Sequence, residues 1–334
     1  MEQVLRIVGL EPALHPGQVL ALLGQGGPAV LLGLAGFGAA IHPAFLGDKP
    51  LAGLPPHRRG LGVVLDPPGL LPDLTVAENL GWPLRLRRAG RAARITAALA
   101  ALELAPLAER RAAALTPAQA RRVGIARALA VQPPVLLLQE PFAGLPPAEA
   151  EALALLLARL GPAVVLTSCE PTAALGAADR IAVLHQGRLL QHGTPRQVHG
   201  RPADALVATL TGEANFLPGR LAEVFDDEAR VALDGGAVVE AMLGADLPAG
   251  ARCRVMLRPE SLAVAAVAPE AMGEGALAAT LREAVFQGAQ VRLSLALADG
   301  VVLLARRPAG LRLPAVGEAC AVGWDTGQAL VFPA

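Results

Sequence analysis

Tyrosine is absent from the 334 residues, lysine occurs once, at Lys49, and cysteine occurs three times. Each scarcity excludes something. Seven Phe and two Trp are the only aromatics, which leaves little for nucleic-acid bases to stack on. The 29 basic residues, all but one of them arginine, are balanced by 29 acidic ones. No excess positive charge is left to neutralise phosphates, so no nucleic-acid partner is expected. Cys169, Cys253 and Cys320 lie far apart without metal-ligand spacing, and three is a poor number for a disulfide framework. They read as small buried hydrophobes in a reducing cytoplasm. The opening MEQVLRIVGLEP carries Glu2 and lacks a secretory pattern.

Charge is also missing between Glu11 and Asp48. A membrane-spanning helix needs roughly 20 apolar residues. This stretch is interrupted by Gln25, Pro28, His42 and Pro43 and holds seven glycines from Gly24 to Gly47. Glycine costs a helix about 1 kcal/mol and proline about 3 kcal/mol. The stretch therefore reads as a buried strand, a Gly-rich turn and a buried helix.

What is present is apolar: 53% hydrophobic against 17% charged residues, which excludes global disorder. The length exceeds what one core usually fills, so two domains are expected. Over residues 1–210, short apolar runs (Val19–Leu23, Leu61–Leu65, Val135–Leu138, Ala163–Thr167, Ile181–Leu184) alternate with helical patterns such as Val30–Gly36 and Ala148–Leu160. That alternation predicts a mostly parallel sheet covered on both faces, with a helix-rich insertion over about 73–130. Over residues 211–334 the texture changes to short alternating strands, among them Arg230–Leu233, Arg254–Leu257 and Val291–Leu297. These predict a small all-β barrel or sandwich. The stretches LPAGARCRV (247–255) and LPAVGEACAV (313–322) repeat each other with a cysteine at the matching place, which predicts two related β units.

Seven segments occur in a telling order: ALLG (21–24), LPPHRRGLGVV (54–64), LLPDLTVAENL (70–80), RRVGIARALA (121–130), LLLQEPFAGL (136–145), AADRIAVLHQGRLLQHGTP (177–195) and GEANFLPG (212–219). Together with MLRPESL (256–262) they make the chain resemble the ATP-binding subunits of bacterial ABC importers for polyamines, iron, sulfate or phosphonates. The resemblance implies an α/β P-loop-NTPase-like cassette with a helical subdomain, followed by a small all-β domain of the OB or TOBE type. It implies ATP and Mg²⁺ as cofactors and membrane permease subunits as partners. A homodimer, or a heterodimer with another cassette subunit, is implied as well, on the inner face of the cell membrane.

The same resemblance identifies the site positions, where several residues depart from the family. A P-loop GxxxxGK[ST] cradles phosphate with backbone N–H groups, a lysine and a Mg²⁺-binding hydroxyl. Here Gly24, Gln25, Gly26, Gly27, Pro28, Ala29 and Val30 stand in its place, about two residues short and without lysine, serine or threonine. Asp66 falls where the family has its Mg²⁺-coordinating glutamine; it could hold Mg²⁺, or Asp66-Pro67 could simply form a turn. LTPAQ replaces the signature LSGGQ, with Thr116 as helix N-cap and Gln119 three residues on. Gln139 takes the position of the metal-binding aspartate and Glu140 keeps that of the general base. Cys169 stands where a histidine reads the γ-phosphate.

Three functions are compatible with these residues. One is a degenerate cassette subunit that docks on permeases through Leu70–Arg88 with weak or no ATP turnover. Another is an active transport ATPase working with an intact partner cassette. The third is a regulatory protein whose β region senses an anion through Arg252, Arg254 and Arg258.

Overall fold

The computed structural model describes residues 5–10, 12–39, 42–85, 90–267, 271 and 275–334. The chain divides into two compact units, Met1–Val198 and His199–Ala334.

The first unit runs β1 (Leu5–Ile7), β2 (Val19–Leu23), α1 (Gly27–Ala35), β3 (Ala44–Leu46), β4 (Lys49–Pro50), β5 (Gly62–Val64), α2 (Val76–Gly81), α3 (Arg91–Ala101), α4 (Pro117–Leu129), β6 (Val135–Leu138), α5 (Pro147–Leu157), β7 (Ala163–Ser168), α6 (Pro171–Ala177), β8 (Arg180–His185) and β9 (Arg188–Gly193). The main sheet has the order β5-β6-β7-β2-β8-β9. Its first five strands are parallel, and β9 is antiparallel at the edge. Every residue of β2, β6 and β7 is buried, as a sheet covered on both faces requires. The sequence pattern ends this sheet at Ile181–Leu184; β9 escapes it because an edge strand is only partly buried and shows no apolar run.

A second, antiparallel sheet has the order β1-β3-β4. Its Leu5, Ile7 and Ala44 share one core with Leu20 and Leu22 of β2 and Val30, Leu31 and Leu34 of α1. Helix α1 begins three residues before the expected Val30, because Pro28 sits in the first turn, where no N–H is needed. In the helical insertion, Thr75 and Glu78 form a capping box that starts α2, and Thr116 and Gln119 form another that starts α4.

The second unit contains α7 (Pro195–Gly200) from His199 on, then α8 (Ala205–Thr211), β10 (Asn215–Phe225), β11 (Glu228–Leu233), β12 (Val238–Leu243), β13 (Arg252–Leu257), β14 (Ala263–Ala265), β15 (Leu277–Phe286), β16 (Gln290–Leu297), β17 (Val302–Pro308), β18 (Ala319–Gly323) and β19 (Ala329–Pro333). Strands β10-β11-β12-β19-β13 close a barrel, and β14-β18-β15-β16-β17 form a five-stranded sheet. The sequence pattern assigns residues up to 210 to the first region. In the structure α8 belongs with the barrel, where Ala208 packs on Met256, Leu330 and Phe332.

The two β layers are built alike. Strands β10 and β15 each carry a bulge, at Leu221/Glu223 and Leu281/Glu283. Cys253 faces Gly219 across β13 and β10, and Cys320 faces Ala279 across β18 and β15. Each layer takes its fifth strand from the other's run of sequence. Strand β14 follows β13 but pairs with β18, while β19 follows β18 but pairs with β13 and β12. Both cysteines and the inward residues of both layers share one core.

Among the described residues, no helix is long and apolar enough to cross a membrane.

Candidate functional site

In a parallel sheet the loops leaving the C-terminal ends of the strands collect at one edge, where such folds place their ligands. Four strands of the first unit deliver the sequence-predicted positions to that edge. Strand β2 leads into Gly24–Gly27, β5 into Asp66, β6 into Gln139 and Glu140, and β7 into Cys169.

The glycine loop is a tight turn into α1. Gly24 takes a left-handed conformation (φ 88°) that glycine adopts without strain. The Gly27 N–H donates to the Gly24 carbonyl at 3.1 Å, and the Val30 N–H donates to the Gly26 carbonyl at 3.1 Å. Pro28 has no N–H to give. A Cβ on Gly26 would meet the Gly187 nitrogen at 2.8 Å, and one on Gly27 would meet the Leu22 carbonyl oxygen at 3.0 Å. The loop is thus packed against the β8–β9 turn on one side and its own strand on the other. Val30 is 2% exposed and lies in the core, so a longer side chain there would enter the core. Lys49, in β4, donates its Nζ to the Arg58 carbonyl at 2.9 Å. Of the donor set a triphosphate needs, free amides with an ammonium and a hydroxyl, the ammonium and the hydroxyl are missing from this loop. The residues present do not fit a phosphate cradle.

Glu140 and Cys169 are brought together, but through the backbone. The Cys169 N–H donates to Glu140 Oε2 at 2.7 Å, and the Glu140 N–H donates to Thr167 Oγ1 at 3.2 Å. Glu140 itself has φ 47°, the left-handed region that a non-glycine residue rarely adopts. Its carboxylate therefore ties the β6 loop to the β7 loop. Cys169 is exposed, against the expectation that all three cysteines are buried, because it stands in the loop beyond β7 rather than in the strand. What desolvation its thiol meets, with the Glu140 charge added, pushes it above its ordinary range, so it offers only a weak donor.

Asp66 is held by Arg121 of α4, Nη2 to Oδ1 at 3.1 Å. The Gln139 N–H donates to the Val64 carbonyl at 2.9 Å, and Gln139, Asp66 and Arg121 line one cavity of about 10 Å³, no more than a single water fills. Of the two readings of Asp66, the structure gives the carboxylate a guanidinium partner. Among the described residues, no group of three or more His, Cys, Asp or Glu is gathered where a metal ion could be held. Thr116 accepts from the Gln119 N–H at 3.3 Å, while Gln119 Oε1 accepts from the Thr116 N–H at 3.1 Å. Both side chains are thus spent on starting α4.

Sequence reasoning missed two arginines that tie distant segments of the first unit together. Arg59, 7% exposed, donates to the carbonyls of Gly33, Leu34 and Leu54 and so closes the C-terminus of α1. Arg127 donates to the carbonyls of Pro68 and Gly69. Both lie inside segments that carry the resemblance, yet their carbonyl partners are 5 to 59 positions away, a distance no local pattern reveals.

The loop ahead of α2 is held by Asn79, which is fully buried. Its Oδ1 accepts from the Leu71 N–H at 2.9 Å, and its Nδ2 donates to the Leu71 and Thr75 carbonyls at 3.0 Å each. Residues 86–88 of the predicted docking surface Leu70–Arg88 lie outside the described residues.

The predicted anion-sensing arginines are not gathered into one site. Arg252 makes a two-pronged pair with Asp234, at 2.6 and 3.0 Å. Arg254 donates to the Pro333 carbonyl at 3.0 Å. Arg258, 6% exposed, donates to the carbonyls of Ala208, Glu213 and His199 and to Thr211 Oγ1. Each has an internal acceptor, and burial alone pulls the Arg258 pKa down. Only Arg252 of the three has a carboxylate partner; Arg254 and Arg258 donate to neutral oxygens.

Comparisons with known proteins agree on the architecture. The ABC transporter family model matches residues 30–143, and the TOBE domain model matches residues 255–332. The chain is 34% identical over 295 residues to a spermidine/putrescine import ATP-binding protein of Pseudomonas aeruginosa, covering 84% of this chain and 79% of the relative. It is 33% identical over 335 residues to the protein of that name in Methylococcus capsulatus, covering 96% and 86%. The solved structure of cbiO1 from Clostridium perfringens, part of the ABC transporter complex cbiONQ, superposes with a TM-score of 0.51 at 22% identity, over 59% of this chain and 88% of that one. At that identity the likeness speaks for the cassette fold of the first unit.

Proposed function

The chain belongs to the ABC transporter family, among the importer ATP-binding proteins that carry a C-terminal TOBE domain, and from that membership we propose a cassette subunit that docks on permease subunits without turning over ATP itself. The proposed solute class is the polyamines, after the names of its relatives. The subunit sits peripherally on the inner face of the membrane, its docking surface the loop around Leu71 and Asn79 that leads into α2.

One observation carries the reading: the Gly24–Gly27 turn brings neither ammonium nor hydroxyl, and Val30 is buried in the core. In phosphoryl transfer the protein contributes positioning and charge neutralisation, and here the lysine, the metal aspartate and the γ-phosphate reader are replaced by Val30, Gln139 and Cys169. The retained Glu140 serves as an acceptor for a backbone amide.

Mg-ATP titrated into the purified chain by calorimetry is expected to give no saturable heat, and a phosphate-release assay no Mg²⁺-dependent rate. Glu140→Gln should leave both unchanged. Val30→Lys combined with Gln139→Asp should not restore release, because position 30 faces the core. Mg²⁺-dependent release that disappears in Glu140→Gln would overturn the proposal. Co-purification with importer permeases from membranes tests docking. Loss of association on Asn79→Ala, with the melting of the second unit unchanged, is the expected result.

A further inference from the structure

The charge of this chain is zero overall but uneven along it. From Asn79 to Leu102 the sequence holds five arginines, Arg85, Arg87, Arg88, Arg91 and Arg94, and no carboxylate. The structure describes Arg85, Arg91 and Arg94, all in the first unit, where α2 runs into a 3-10 turn (Trp82–Leu84) ahead of α3. Leu80 and Leu84 are fully buried and anchor that turn, which leaves Trp82 and Arg85 on its outer side. Trp82 is 42% exposed, and the Arg85 guanidinium lies 3.3 Å from the centre of its ring. The Arg91 guanidinium covers Gly81, where a Cβ would meet Nη2 at 2.6 Å. Arg91 thus stands beside the Trp82–Arg85 pair, and Arg94 is its neighbour one turn along α3.

Carboxylates do not answer these charges. Glu78 turns back to accept from the Thr75 N–H at 2.8 Å, and Glu103 lies toward Arg122, 3.9 Å away. Among the described residues, no ion pair involves Arg85, Arg91 or Arg94. The result is a cluster of positive charge around an exposed indole. An anionic bilayer surface complements both features. Its headgroups attract clustered guanidinium groups, each of which adds to binding. Its boundary between headgroups and acyl chains takes up tryptophan, whose ring is apolar and whose N–H is polar.

We propose that the patch of Trp82, Arg85, Arg91 and Arg94 binds directly to the anionic lipid surface of the membrane, with Trp82 entering the headgroup layer and the guanidinium groups resting on lipid phosphates. The proposal rests on the inner-face location proposed for the subunit. The lipid contact itself needs neither permease nor nucleotide, so lipid binding and permease docking can fail separately. Its strength falls with ionic strength, as any contact between exposed charges does.

Flotation of the purified full chain with lipid vesicles, in the absence of permease, tests it. The chain should float with equimolar phosphatidylcholine and phosphatidylglycerol, stay behind with phosphatidylcholine alone, and leave the anionic vesicles as salt rises. Tryptophan emission should shift to shorter wavelength on the anionic vesicles, and Trp82→Phe should abolish the shift. Arg85→Gln with Arg91→Gln should weaken binding about thirtyfold, about fivefold for each arginine. Its melting curve should match wild type, since both side chains are exposed. Arg282→Gln with Arg312→Gln removes the same charge from exposed positions of the second unit and should leave binding unchanged. Equal binding to both kinds of vesicle, an Arg85/Arg91 variant that floats like wild type, or an equal loss in the second-unit variant would each overturn the proposal. Retention by immobilised poly-glutamate but not by vesicles would overturn it as well, by assigning the patch to an acidic protein surface.

Discussion

Single residues at the predicted site positions make structural contacts. Glu140, expected as a general base, accepts the Cys169 amide, and Asp66, expected as a metal contact or a turn former, holds Arg121. In the second unit Glu260 shows the same economy. Burial pushes its carboxyl up, but the hydrogen bond from His199, at 3.1 Å, together with the charges of His199 and Arg258 brings it below the usual carboxylate range. A depressed carboxylate contributes stability that is present above its unfolded pKa and lost as pH falls through the folded one. Melting of the second unit should therefore be flat near neutrality and fall below about pH 4. Glu260→Gln should remove most of that fall; a pH profile identical to wild type would refute the linkage. The residue types at positions 30, 66, 139, 140 and 169 could be read from the sequence. Their partners could not, because Asp66 and Arg121, or Glu140 and Cys169, meet only when separate strands and helices are brought side by side.

Elements follow from local rules more directly. Continuous apolar runs became the buried strands β2, β6 and β7, and Thr116 with Pro117 started α4 as N-cap chemistry requires. Strand β9 was not legible, since an edge strand partly exposed to solvent has no apolar signature. The glycine loop lies between these cases. Its glycines announce a turn before α1, but whether that turn stands open or shut depends on the β8–β9 turn packed against it. Gly26→Ala tests the closed form. Gly26 has φ −91°, which alanine tolerates, so the objection is steric: the backbone of Gly187 at 2.8 Å and the Leu184 Cβ at 3.1 Å. Overpacking of this kind should cost the first unit about 1–3 kcal/mol in a denaturant melt. An alanine chain as stable as wild type would mean that the loop stands free of the β8–β9 turn.

At the scale of the whole molecule, the exchanged strands β14 and β19 decide how the second unit behaves. The barrel is closed by β19, which arrives only after the five-stranded sheet has been built, and that sheet receives β14 from the barrel's side of the chain. Neither layer is complete without the other, and both line one core. Ending the chain at Asp325 removes β19, exposing Leu257 and Val255 along β13. The whole of 199–334 is then expected to lose hydrogen-exchange protection, the five-stranded sheet included, while the first unit keeps its own. Protection retained in β15–β17 would show that the two layers fold separately.

The sequence by itself determined the two-part chain and the alternating and all-β textures, because periodicity and residue type are local properties of a chain. Tertiary structure alone decided that the glycine loop packs against the β8–β9 turn, that Arg252, Arg254 and Arg258 have separate partners, and that the β layers trade their last strands. Those outcomes turn on which donors and acceptors distant segments bring within about 3 Å of one another, and such distances are set by packing.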